Sequence, residues 1–146
     1  MKYGGFRAIA PRVGRCMASL WERPDADVLL PVPLHIGSKR GYNQAFEIAR
    51  GLGREWGIEA VDVAHWARYV HHRAGLSVPE RMTLHSEDFK VPSELAGLRV
   101  AIVDDVCTTG ATVSRLAEAC RAAGAIVIGA YVASTPPYGK IDDNFS

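Results

Sequence analysis

The chain has 146 residues, with 17 lysines and arginines against 16 aspartates and glutamates, for a net charge of +1 at neutral pH. So small an imbalance, without a basic block or stripe, gives no electrostatic ground for nucleic-acid binding. Its 48% hydrophobic and 23% charged content excludes the disordered and fibrous classes and fits one soluble domain with one core.

Taken in chain order, Phe6, Ile9, Ala10, Val13, Met17, Leu20 and Trp21 recur at helical spacing, with Arg7, Arg12 and Arg15 off that face, so an N-terminal amphipathic helix is expected. Pro11 is expected at the first helical position, where its missing N–H costs nothing. "ADVLLPVPL" (26–34) reads as a buried strand ending near Pro31, because two prolines close the apolar run. A second helix follows "HIGSKRGYN": Ala45, Ile48, Ala49, Leu52 and Trp56 share its inner face, Glu47, Arg50, Arg54 and Glu55 point away, and Gly57 caps it. "IEAVDVAHW" (58–66) can form a strand. Residues 67–97 then show mixed polarity and weak periodicity, and connections beyond about 12–15 residues are usually functional or disordered, so a flexible loop is expected there. "LRVAIVDDV" (98–106) is the strongest strand pattern and Thr112 to Gly124 the strongest helix, with Val113, Leu116, Ala117 and Cys120 inward. "AIVIGAYVAS" (125–134) gives another strand. The strand-helix-strand order predicts a parallel sheet.

The chemistry concentrates in "VAIVDDVCTTGAT" (100–112). Ligands of open α/β sheets bind at the carboxyl ends of the strands, where Asp104, Asp105 and the following turn must fall. "CTTGAT" runs straight into a helix N-terminus, whose N–H groups and dipole suit a phosphate. Thr108, Thr109 and Thr112 add hydroxyls. Gly110 permits close backbone approach, where a side chain would obstruct the cradle or require an unfavourable backbone angle. Two carboxylates beside a phosphate cradle are reconciled by a sugar phosphate: Asp104 and Asp105 take its hydroxyls and hold Mg²⁺, directly or through water. Strict alternation along a regular strand would point the two acids in opposite directions, implying a division of labour. The stretch has neither the lysine of a GxxxxGK[ST] loop nor the spacing of GxGxxG.

These thirteen residues resemble the phosphoribosyl-pyrophosphate (PRPP) signature of type I phosphoribosyltransferases. More narrowly, "LLPVPLH…RGYNQA" with "GLSVPERM…F" resembles the ComF family of competence-associated, phosphoribosyltransferase-like proteins. The resemblance implies an α/β fold: a Rossmann-like parallel-sheet core with a short hood and a flexible active-site loop. It divides a single domain of residues 1–146 into a helical hood (1–25), a core (26–135) containing the loop 67–97, and a tail (136–146). It implies Mg²⁺-dependent binding of PRPP and transfer of ribosyl 5-phosphate to an acceptor with release of pyrophosphate. Asp104 and Asp105 then meet the ribose and the metal. Thr108, Thr109, Gly110 and Thr112 meet the 5′-phosphate, Val106, Cys107 and Ala111 complete the substrate-binding turn, and the turn after "PVP" corresponds to the pyrophosphate loop, where Pro33 makes a cis bond conceivable.

Two departures from the family stand out. Val70, Arg73 and Leu84 replace threonine, glutamine and asparagine of the relatives in the long loop. The cysteine-rich zinc module of the relatives is not found ahead of "MKYGG", which removes the warrant for zinc. They motivate an alternative to catalysis: a PRPP- or nucleotide-binding module acting through partners, with nucleic acid entering through the competence association rather than through charge. Small α/β domains often complete a site from a neighbour, so either role is compatible with a homo-oligomer.

Lys39 and Arg40 are cationic candidates for the pyrophosphate, with Asn43 and Gln44 as local caps. Arg68, His71, His72, Arg73 and Arg81 make the long loop locally basic. Cys16, Cys107 and Cys120 form no CxxC pair, no apolar run approaches the roughly 18 residues of a membrane span, and "MKYGGFRAIAPRVGRCM" lacks a signal-peptide core, so a cytoplasmic, membrane-free protein is expected.

Overall fold

The computed structural model describes residues 4–35, 41–67, 88–107 and 109–134. Lys39, Arg40, Thr108, the basic residues between 68 and 87, Val70, Arg73, Leu84 and the tail from 136 all lie outside these residues.

Strand β1 (Val28–Pro31) is flanked by β2 (Glu59–Ala60) and β5 (Arg99–Val106), and β5 pairs in turn with β6 (Ile126–Ser134). All three pairings are parallel. Between Val100 and Ala101 of β5 the register of β6 jumps from Val127 to Gly129, a bulge at Ile128. The side-chain period of two sends Leu29, Ala101 and Val103 to one face and Val28, Leu30, Val100 and Ile102 to the other.

The first face is covered by α1 (Gly4–Leu20) and α2 (Gln44–Trp56), through Ala10, Met17, Ile48, Ala49, Leu52 and Trp56. The second is covered by α3 (Ala111–Ala122), through Leu116, Ala117 and Cys120, and by a ribbon of β3 (His65–Trp66) and β4 (Phe89–Lys90). A short 3-10 turn, Ser93–Leu95, follows β4. The expected single strand over 58–66 is thus two short strands in different sheets. The expected loop 67–97 contains β4, the 3-10 turn and the buried Phe89 and Leu95 in its last third.

Helix α1 departs most from its sequence pattern. Pro11 lies inside the helix rather than at its start. Ile9 and Leu20 are exposed, at 49% and 73%, while Ala10, Gly14 and Met17 face inward. A Cβ on Gly14 would lie 2.1 Å from the Ile48 carbonyl oxygen, and one on Gly51 equally close to that of Pro11. The two helices therefore meet backbone to backbone, and the contact selects small residues over large apolar ones.

Helix α2 starts at Asn43, whose Oδ1 accepts from the Ala45 N–H at 3.0 Å, and stops at Gly57 in the left-handed region (φ 66°). Glu47, expected on its outer face, is buried and paired with Arg50 at 3.3 Å. At the amino end of the sheet, Arg99 pairs with both Asp25 and Asp27, clasping the starts of β1 and β5.

Candidate functional site

Strands β1 and β5 run side by side in parallel, so their carboxyl ends reach the same rim of the sheet. From β1 emerge Val32, Pro33, Leu34 and His35, and from β5 emerge Asp104, Asp105 and Val106. With Asn43, Gln44, Ala45 and Thr112 they line a cleft of about 380 Å³. The backbone beyond β1 is held peptide by peptide. The Val32 N–H donates to the Val103 carbonyl at 2.8 Å, and Asn43 Nδ2 donates to the Val32 carbonyl at 3.0 Å. Asn43 thus caps α2 and fixes the turn at once, the capping role its sequence position suggested. The Val32–Pro33 peptide is not cis, nor is any other among the described residues.

Asp104 and Asp105 both face this cleft, so the end of β5 brings together two acids that strict alternation would have separated. Each carboxylate is anchored by the next backbone amide: Asp104 Oδ1 accepts from the Asp105 N–H at 2.8 Å, and Asp105 Oδ1 from the Val106 N–H at 2.9 Å. Their burial differs, since Asp104 is 7% exposed and Asp105 is half-buried. Burial pushes the Asp104 carboxyl up to about 7, and the adjacent Asp105 carboxyl adds to the shift through a hydrogen bond and charge repulsion.

Beyond Val106 the chain turns through Cys107, Thr109 and Gly110 into α3. Gly110 takes the N-cap position at φ 80°, and a Cβ there would find, among the described residues, only Cys107 Sγ, at 3.9 Å. The backbone angle, rather than crowding, therefore requires glycine. Thr109 Oγ1 accepts from the Ala111 N–H at 3.3 Å, which leaves the hydroxyl proton to donate elsewhere. Thr112, in the first turn of α3, faces both this turn and the cleft.

From the sequence, Trp66 reads, with Trp21 and Trp56, as core or hood packing, and Leu34 and His35 belong to the "PVPLH" motif with no role of their own. Trp66 Nε1 donates to the Pro33 carbonyl at 3.0 Å, and its ring meets His35 edge-on at 5.4 Å between centroids. Pro33, Leu34, Tyr42, Asp62, His65 and Trp66 line a second cavity of about 400 Å³ beside the cleft. The signal for this neighbourhood lay in the "PVPLH" motif, which marks the backbone but not the side chain that braces it.

A pair of acids and a glycine turn at a helix N-terminus lie together at the carboxyl rim of a parallel sheet, the place where open α/β sheets bind ligands and where helix N–H groups suit an anion. The model of the phosphoribosyl transferase domain matches residues 38–146, and the chain belongs to that family. It is 32% identical over 104 residues to Competence protein F of Haemophilus influenzae, covering 67% of this chain and 45% of that protein. It is 30% identical over 109 residues to DNA utilization protein YhgH of Salmonella typhi, covering 72% and 47%. The chain thus spans about half the length of these relatives, and its phosphoribosyl transferase domain is similar in sequence to theirs. Glutamine phosphoribosylpyrophosphate amidotransferase from B. subtilis shares the fold at a TM-score of 0.65 and 23% identity, over 89% of this chain and 27% of that one. No helix among the described residues is long and apolar enough to cross a membrane.

Proposed function

We propose that the protein is a Mg²⁺-dependent phosphoribosyltransferase that binds PRPP and passes its ribosyl 5-phosphate to an acceptor, releasing pyrophosphate. The observation that carries this reading is the convergence of Asp104, Asp105, Thr112 and the Pro33–His35 backbone on one cleft. The turn through Thr109 and Gly110 into α3 receives the 5′-phosphate on backbone N–H groups, the Thr109 and Thr112 hydroxyls and the helix dipole. The two carboxylates accept hydrogen bonds from the ribose hydroxyls and stabilise positive charge developing on the ring.

Transfer breaks the bond between the anomeric carbon and pyrophosphate. Its electron pair leaves on the pyrophosphate oxygen, and the acceptor's lone pair forms the new bond. Two carboxylates lining one cleft suit Mg²⁺, which takes one or two carboxylates and fills its shell with water and phosphate oxygens. Asp104 and Asp105 would hold it, and bound there it neutralises charge on the departing pyrophosphate. Lys39 and Arg40, beside the turn in sequence, supply further cationic charge to the same leaving group.

Calorimetry with PRPP and Mg²⁺, followed by pyrophosphate release over a panel of nucleobases and amines, tests this reading. Wild type binds PRPP, and Asp104→Asn or Asp105→Asn weakens binding by about tenfold or more. Failure of wild type to bind would remove the proposal.

The relatives' names, a competence protein and a DNA utilization protein, favour a second reading in which the module binds PRPP or a nucleotide and acts through partners. Tight PRPP binding with no pyrophosphate released to any acceptor selects it. DNA binding with a steep salt dependence would add nucleic acid as the partner.

A further inference from the structure

Trp66 joins three parts of the molecule that the sequence keeps apart. In β3 it pairs with Phe89 of β4, their rings 4.2 Å apart between centroids, and the Ala67 N–H donates to the Asp88 carbonyl at 2.7 Å. The residues on either side of the segment 68–87 are therefore clasped together. From the same ring, Nε1 donates to the Pro33 carbonyl in the turn after β1.

A trans peptide is planar, with its C=O and N–H pointing in opposite directions. Fixing the Pro33 carbonyl on the indole therefore turns the Leu34 N–H away from Trp66. Pro33 and Leu34 border two cavities, one shared with Trp66 and the other with Asp104 and Asp105. Trp66 lines only the first of these cavities and the paired acids only the second.

We infer that Trp66 is a positioning residue for the pyrophosphate side of the site: by holding the Pro33 carbonyl it presents the Leu34 N–H to an anionic phosphate oxygen. The inference rests on the reading of the cleft given under Proposed function. It assigns Trp66 to the leaving group rather than to the ribose 5-phosphate, which the turn before α3 receives.

The two halves of the donor separate the effects. Trp66→Phe keeps a ring against Phe89 and His35 but removes the N–H donor. Calorimetry with inorganic pyrophosphate plus Mg²⁺, and separately with ribose 5-phosphate, is expected to show the first weakened about threefold to tenfold, the net worth of one hydrogen bond, and the second unchanged within about twofold. PRPP follows pyrophosphate.

Partial unfolding of the variant scales both apparent affinities by the same fraction, so the ratio of the two dissociation constants remains diagnostic. An equal loss for both ligands, or no loss for either, overturns the inference while leaving PRPP binding by wild type intact. Failure of wild type to bind ribose 5-phosphate or PRPP overturns the reading of the cleft, and the role of Trp66 with it.

Discussion

Asp104 shows what burial does to a carboxylate at the rim of a sheet. Its folded pKa of about 7 lies above the ordinary 3.8, so the neutral acid stabilises the fold fully below about pH 4, and this contribution is lost as pH rises through 7. The ligand-free melting temperature is expected to fall between pH 5 and pH 8, and Asp104→Asn should flatten that slope and raise the value at pH 8 by about 5 °C, read by calorimetric scans. Affinity for PRPP with Mg²⁺ should run the other way, rising through pH 7 as the carboxylate ionises. Gly110→Ala should cost about 1–2 kcal/mol in urea unfolding and weaken PRPP binding, because at φ 80° the penalty is torsional and no neighbour can move to relieve it. The cysteines divide in the same way by surroundings. Burial raises the Cys120 thiol to about 11, whereas Cys16 is exposed. Iodoacetamide at pH 8 should label Cys16 first and leave Cys120 unmodified until the protein unfolds, as read by mass spectrometry.

Among the elements, those with a single dominant period were legible and those made by close contact were not. β1, α2, β5, α3 and β6 all fall within a few residues of their sequence patterns, because apolar alternation and capping residues such as Asn43 and Gly57 specify them locally. α1 misled because its inward face is chosen by backbone approach: Ala10 and Gly14 win over Ile9 and Leu20, which no hydrophobic count would favour. Gly14→Ala should therefore cost about 3 kcal/mol or more in chemical denaturation, an unusually large effect for one added methyl, since the Ile48 carbonyl cannot yield without moving α2. β3 and β4 carry no readable period at two residues each, and only their pairing across a long separation in sequence makes them strands. Glu47 was misplaced because helical spacing gives a direction, whereas burial depends on what else packs there.

At the scale of the molecule, the sheet separates two apolar layers that share no side chains, one under α1 and α2 and the other under α3 and the β3–β4 ribbon. Ile102 is fully buried in the layer beneath α3 and lines no part of the cleft among the described residues. Ile102→Ala should cost about 2–5 kcal/mol in urea unfolding and leave PRPP affinity unchanged where the protein is folded. The position of the acids and the glycine turn was legible because "VAIVDDVCTTGAT" is contiguous, whereas Trp66 was not, because its partner Pro33 lies 33 residues away. The parallel arrangement has one more result. Arg99 with Asp25 and Asp27 marks the rim opposite the cleft. A tether, label or solid support attached at that rim would orient every copy alike, with its cleft open to solution and its anchor a sheet's length from the paired acids.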